Sequence, residues 1–125
     1  MKRLLFITLF LLSLLSLSAQ WSDSPAAPTA IATGAGEQSL PKVAVAPNGN
    51  TYISYFDNAT GAYQLYLKLY DADGNALWQE PLAIPGNVND TWLTDYDLIT
   101  DNNGYAILGF QEIRGGFNQA FVYKI

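Results

Sequence analysis

The sequence predicts an all-β fold of four-stranded, antiparallel, propeller-like blades, with about two blades present and the ring of blades incomplete. Apolar and polar residues alternate with period two, as in "LYLKL" at 65–69, which is typical of a strand with one buried face. Glycine-containing turn sequences, such as "PNGN", "DADGN" and "DNNG", separate these segments. The third observation is an internal repeat, and repeated four-stranded units are typical of propellers.

The first nineteen residues predict a secretory signal peptide. Lys2 and Arg3 precede an apolar run from Leu4 to Leu17, and small residues follow as a cleavage site. The run is shorter than the roughly 20 residues that span a bilayer. We therefore expect an exported protein, extracellular, periplasmic or at the cell surface, with no stable membrane span after cleavage. Residues 20–125 are expected to form the repeat region.

The strands are assigned to two units, each containing strands a, b, c and, where present, d. The predicted ranges are 42–46, 51–56, 64–70 and 76–84 in the first unit, then 96–100, 105–111 and 119–125 in the second. The stretch after Trp21 matches a strand d. The two units are predicted to join near 85–95.

The repeat is seen when "PKVAVAPNGNTYISYFD" (41–57) is laid over "YDLITDNNGYAILGFQE" (96–112). Asn48-Gly49 then falls on Asn103-Gly104, an offset of 55. With one extra residue in the second b–c turn, Lys68 falls on Lys124. Because the second unit stops after strand c, we expect the chain to be the N-terminal part of a longer protein; a self-contained β-sandwich is the alternative.

The segment "YDADGNALW" (70–78) is predicted to be a c–d hairpin, in which Gly74 takes a positive φ and Trp78 covers the apolar face. A weaker alternative is a cation site formed by Asp71, Asp73 and Asn75. The EF-hand pattern does not fit, because it needs glycine at the sixth position and an acid at the twelfth. We predict a plain turn with no metal and no cofactor.

The composition limits the chemistry and the partners. The chain has no cysteine and no histidine, so it has no disulfide, no thiol nucleophile and no Ser-His-Asp triad. Removing Lys2 and Arg3 from the six basic residues leaves four against eleven acidic ones, a net charge of −7. Such a surface disfavours nucleic acid as a partner.

Two further sets of residues are candidates for chemistry. Asp57 and Glu112 end strand b of successive units and could form a glycosidase carboxylate pair, but a repeated turn residue is the expected role. Trp92 and Tyr96 lie in the predicted d–a connection, where packing in the core is the expected role and stacking on a sugar is the alternative.

The segments "LKLYDADGNALWQ" and "DLITDNNGYAILGF" resemble the repeats of large secreted β-propeller-like surface proteins of Gram-negative bacteria, many of which carry a type IX sorting domain. "DADGNALW" is also similar to the tryptophan-docking repeats of quinoprotein propellers, whose spacing is shorter, so a quinone-dependent dehydrogenase is the weakest hypothesis. The resemblance implies an exported protein with propeller repeats and little about its activity. Because no polar residue stands out from the repeat, we expect a non-catalytic binding or scaffold module for a glycan or a protein. The alternative is part of a glycan-processing hydrolase with catalytic residues beyond Ile125.

Overall fold

The computed structural model describes residues 21–89 and 96–125 and confirms the all-β prediction. Its strands pair antiparallel in two sheets, one ordered β1-β2-β3-β4 and the other β5-β6-β7. The strands within these residues are β1 (Gln38–Val45), β2 (Thr51–Asp57), β3 (Tyr63–Tyr70), β4 (Leu82–Asn89), β5 (Tyr96–Thr100), β6 (Ala106–Arg114) and β7 (Phe117–Lys124). Among the same residues, no helix is long and apolar enough to cross a bilayer.

Three tight turns share one geometry, at residues 46–50, 71–75 and 101–105. In each turn the N–H of the first residue donates to the carbonyl of the fifth, at 2.8, 2.9 and 2.9 Å. The fourth residue is a glycine, with φ of +87°, +85° and +87°. Only glycine takes this conformation without a steric cost, which explains why the turn sequences could be recognised. The predicted turn in "YDADGNALW" is therefore confirmed.

The two main hairpins have the same register. Tyr55 lies opposite Tyr66 in the first sheet, and Phe110 lies opposite Phe121 in the second, so both members of the pair shift by 55 positions. The ring pairs are stacked in both sheets, with centroids 6.0 and 6.1 Å apart. The predicted repeat thus describes the strand pairing as well as the sequence.

The predicted match of Lys68 with Lys124 is wrong. Lys68 lies opposite Ile53, whereas the residue 55 positions further on, Tyr123, lies opposite Leu108. The second hairpin contains no extra residue. Its loop is shorter than that of the first hairpin, because Arg114 still pairs with Phe117. The two residues between them, Gly115 and Gly116, both have positive φ, which suits so tight a turn.

Strand β4 begins later than the predicted 76–84. Ala76 makes only an isolated bridge to Tyr70, after which the chain bends away from the sheet and returns at Leu82. The register between β3 and β4 then shifts, and the irregular part of β4 contains Pro85 and Gly86. A proline is tolerated in such a bulge because it need not donate to the ladder. The predicted junction at 85–95 therefore overlaps β4, and residues 90–95 lie outside the described residues.

Each sheet has two faces, which we name by equivalent positions. The front face of the first sheet carries the even-numbered residues of β2, including Tyr52, Ser54 and Phe56, and the back face carries Ile53 and Tyr55. In the second sheet, residues 55 positions further on define the corresponding faces. The back face is formed there by Leu98, Leu108, Phe110, Phe121 and Tyr123, and the front face by Ile99, Ile107, Gly109, Ala120 and Val122.

The core lies between the front face of the first sheet and the back face of the second. Phe56, Leu65 and Leu67 have no exposed surface, and they form one cluster with Leu98, Leu108 and Phe110 of the second sheet. Burying these side chains stabilises the fold by roughly 1.5–3 kcal/mol each. Because unlike faces pack together, one back face and one front face remain outside this core.

Candidate binding surfaces

Among the described residues, an irregular segment, residues 21–37, lies against the back face of the first sheet, and Glu80 and Pro81 lie beside Tyr55 and Tyr66 on the same face. This segment forms no strand, so the predicted strand d after Trp21 is not found. Pro25 and Pro28 have no N–H to donate to a strand ladder, and no described strand pairs with the segment. It is held by Trp21, whose ring lies 5.1 Å from that of Tyr70, and by Lys68, whose ammonium donates to the Ile31 carbonyl at 2.6 Å.

Three cavities remain on this back face, with volumes of about 300, 340 and 370 Å³. The first two share Tyr55, and the first and third share Ile31 and Ile53. The front face of the same sheet has fully buried side chains instead. On the back face Ile53, Tyr55 and Tyr70 are also buried, at 6–7% exposure, whereas Val43 and Val45 are about 60% exposed, so the segment covers only part of this face.

The cavity of about 340 Å³ combines aromatic rings with carboxylates. Tyr55, Tyr66, Asp57 and Glu80 line it, together with Ala59 and Pro81. The two rings are stacked, with an interplanar angle of 24°. Burial is the main cause that raises the pKa of Tyr55 to about 12, so its hydroxyl stays protonated and can donate a hydrogen bond at neutral pH.

The carboxylate of Asp57 is oriented by its neighbours. One oxygen accepts from the Ala59 N–H at 2.7 Å, and the other accepts from the Gln38 side-chain amide at 3.0 Å. A rigid carboxylate, a second acid and two tyrosines can together bind a polar ligand that has apolar faces, such as a sugar or the side chain of a protein.

The larger cavity of about 480 Å³ lies where β1 and β5 meet. Its polar lining consists of Lys42, Asp97 and Gln111, and its apolar lining includes Phe110 and Phe121. The Lys42 ammonium lies 5.6 Å from the centre of the Tyr96 ring. This cavity opens broadly. The better defined site is the cavity of about 340 Å³ beside Tyr55 and Tyr66, which we name the tyrosine cleft.

The second exposed surface is the front face of the second sheet. Val122 and Ile99 are 69% and 54% exposed, whereas Leu67 and Ala44, their equivalents in the first sheet, are buried. A methyl group added at Gly109 would meet no atom within 4 Å. The centre of this face is therefore apolar and exposed, while Lys42 lies beside it in the cavity of about 480 Å³.

One end of this front face carries a charged cluster. The Lys124 ammonium lies 2.5 Å from a carboxylate oxygen of Asp101 and 4.6 Å from the centre of the Tyr105 ring. The hydrogen bond from Lys124 lowers the pKa of Asp101, with smaller contributions from the backbone N–H groups of Tyr105 and Asn103. Matching Lys124 with Lys68 in the repeat gave no indication of this pair, because Lys68 binds a backbone carbonyl, that of Ile31, and no described carboxylate.

The residues of the weaker cation hypothesis lie together in the 71–75 turn. One carboxylate oxygen of Asp71 accepts from the N–H groups of Asp73 and Asn75, at 3.0 and 2.8 Å. The other accepts from the Asn75 side chain at 2.9 Å, and these contacts lower the pKa of Asp71. A cation would have to compete with these bonds for Asp71, while Asp73 and Asn75 are exposed.

The two aromatic candidates of the d–a connection have different outcomes. Trp92 lies outside the described residues. Tyr96 is only 4% exposed, its ring packs edge-on against Phe56 at 5.4 Å, and its hydroxyl bonds Ser54 and the Leu40 carbonyl. In this position the ring belongs to the core, and it is not accessible for stacking on a sugar.

Asp57 and Glu112 occupy equivalent places in the two sheets. Asp57 lies opposite Gln64, and Glu112 lies opposite Gln119, with the same offset of 55. Glu112 is buried, at 4% exposure, whereas Asp57 is only partly buried. Their equivalence supports the role of repeated strand residues over that of a glycosidase pair.

The chain was also compared with known proteins. No family model, no curated protein and no solved structure matches it.

Proposed function

We propose that this protein is a non-catalytic binding or scaffold module of an exported bacterial protein, with its two sheets acting as successive propeller-like blades. The Gram-negative surface-protein repeats that the sequence resembles, many with a type IX sorting domain, fit such a module. The repeat in strand register supports this architecture, because it relates two sheets that pack through unlike faces. Such packing can continue from unit to unit, as it does in propellers and other repeat proteins.

The observation that carries the binding role is a difference between two equivalent ring pairs. Phe110 and Phe121 stack in the second sheet beneath the front face of the first, and Phe110 is 5% exposed. At the same positions of the first sheet, the rings of Tyr55, which is 6% exposed, and of the half-buried Tyr66 stack beside a cavity, so Tyr66 is the more accessible of the two. Tyrosine adds a polar group to the same ring, which suits a surface that meets a polar partner.

The carboxylates near the turns favour binding or scaffolding over hydrolysis. Asp57, Asp71 and Asp101 each accept at least one backbone N–H bond within their own turn. Such carboxylates shape the backbone, and these bonds leave them poorly placed to exchange protons with a substrate. The partner proposed here is a glycan or a protein, and the negative charge disfavours nucleic acid.

Binding is tested with the purified protein on an array of bacterial and host glycans. We expect saturable binding to at least one glycan class, which Tyr66→Ala weakens and Tyr105→Ala leaves unchanged. Tyr105 is a matched control because it is 50% exposed and lies away from the cleft. Binding that survives Tyr66→Ala, or turnover of chromogenic glycosides that Asp57→Asn abolishes, would contradict the proposal.

Export is tested separately, because residues 1–19 lie outside the described residues. Expression in a bacterial host should release a product whose N-terminus, measured by mass spectrometry, lies near Gln20 or Trp21. An intact Met1 on membrane-bound material would reject the signal peptide.

A further inference from the structure

Strand β7 forms one edge of the second sheet. Its eight residue pairs with β6 are continuous, with no shift in register, and no other described strand pairs with it. Ile125 exchanges two backbone hydrogen bonds with Ala106, at 2.8 and 2.9 Å, so the odd-numbered N–H groups point toward β6. By alternation, the N–H groups of Ala120, Val122 and Lys124 point outward, away from β6.

The equivalent edge of the first sheet is occupied. Strand β3 corresponds to β7 by the 55-residue offset, and β4 pairs antiparallel along its outer side. Leu67, the equivalent of Val122, lies opposite Leu82 there. Two positions further along β4, Ile84 is 1% exposed within the core.

The edge of β7 lacks the features by which proteins usually prevent strand addition. Its sequence "FNQAFVYK" contains no proline, its only charged residue is Lys124 at the end, and its register has no bulge. Two apolar side chains of the strand, Phe117 and Val122, are 74% and 69% exposed. Natural edges are normally protected by charges, prolines or bulges, so an edge of this kind is suited to pairing.

We propose that the outer edge of β7 is a binding site for an extended polypeptide segment, which adds antiparallel as a fourth strand. The chemistry of the segment is that of β4: apolar residues at alternate positions, so that one set lies beside Val122 on the front face. Main-chain hydrogen bonds supply the affinity, and the alternate side chains supply the selectivity. This inference rests on the proposed binding role and names the class of partner for a surface other than the tyrosine cleft.

The probe is a synthetic peptide with the sequence of residues 76–89, "ALWQEPLAIPGNVN", titrated into the protein. Hydrogen exchange followed by NMR should show new protection at the outward amides of Ala120 and Val122. The inward amides of Phe121 and Tyr123 should be protected both with and without the peptide. A peptide of scrambled sequence should give no new protection.

The decisive variant is Val122→Pro, because it removes an outward donor without removing a bond to β6. We expect binding about fivefold weaker, since a lost hydrogen bond in such a contact is worth roughly 1 kcal/mol. Val122→Thr keeps both the N–H and the branched shape, so its affinity should stay within about twofold of the parent. An unchanged β6–β7 exchange pattern would show that Val122→Pro remains folded.

Equal binding by Val122→Pro and the parent, or no protection at saturating peptide, would overturn the strand-addition site. Dimers that Val122→Pro abolishes and the peptide does not displace would overturn the choice of partner in favour of a second copy. The Tyr66→Ala variant should still bind the peptide, and Val122→Pro should still bind glycan. A failure of this inference can therefore be told from a failure of the proposed function.

Discussion

Tyr96→Phe tests whether the hydroxyl of Tyr96 is part of the core. That hydroxyl lies 2.6 Å from the Leu40 carbonyl and 3.0 Å from Ser54 Oγ. Because its single proton goes to Leu40, Ser54 donates to the Tyr96 oxygen. Leu40 has φ of +51°, which is uncommon for a residue other than glycine, so its carbonyl is held in place in a strained bulge of β1.

The substitution leaves the buried Ser54 hydroxyl, the partly buried Leu40 carbonyl and the Lys42 N–H, which also bonds the Tyr96 oxygen, without this partner. Each lost bond costs about 1 kcal/mol, so Tyr96→Phe should lower the free energy of unfolding by about 2–3 kcal/mol. Ser54→Ala removes only one bond and should cost about 1 kcal/mol. In the double variant the costs should not add, and the coupling energy should be about 1 kcal/mol.

The assay is equilibrium unfolding in urea at pH 7, followed by tryptophan fluorescence, with the m-value compared between variants. Tyr105→Phe is the control, because Tyr105 is half-exposed and its change should stay within about 0.5 kcal/mol. A Tyr96→Phe variant as stable as this control would refute the hydroxyl's role in the core. It would also reopen the hypothesis that Tyr96 serves a ligand.

Three further predictions concern the turns and the pH dependence. Gly74→Val should cost about 1–3 kcal/mol in the same assay, because φ is +85° there, whereas Gly109→Ala, in open space, should stay within about 0.5 kcal/mol. Since the hydrogen bond from Lys124 lowers the pKa of Asp101 below 3.8, its stabilisation should be present above that pH and lost in thermal melts at lower pH; Asp101→Asn should flatten this dependence. Burial raises the pKa of Tyr55 from 10.0 to about 12, so the free energy of unfolding should be unaffected below pH 10 and fall toward pH 12. Tyr55→Phe should make this fall with pH less steep, and an equally steep fall in the variant would contradict the burial of the Tyr55 hydroxyl.

The strands and turns could be predicted because their signals are local. Gly49, Gly74 and Gly104 each end a turn of one geometry, and side chains on both sides alternate with period two. Predicted and observed bounds agree within a few residues for six of the seven strands. The strand predicted at 76–84 was misplaced because its position depends on packing. Trp78 lies outside the strands, and its ring packs edge-on against that of Tyr52, with the ring centroids 6.1 Å apart.

The candidate sites were harder to predict because they depend on which face of each sheet is covered. The sequence favours core packing for Tyr96 but leaves sugar stacking open, and the structure decides for the core, which lies directly against the ring. Tyr55 and Tyr66 look like core residues, but they line a cavity on the back face. Alternation defines two faces for every strand, and it does not tell which of them meets a second sheet.

The repeat itself contains part of the missing information. Equivalent front-face positions change from Phe56, Leu65 and Leu67 in the first sheet to Gln111, Ala120 and Val122 in the second. Because these side chains are smaller or more polar, a partner surface packed against them would leave empty volume unless its own side chains were larger. Such unfilled volume at an interface is destabilising. A partner of the second sheet's front face should therefore bring bulky apolar groups, as the back faces of this chain do.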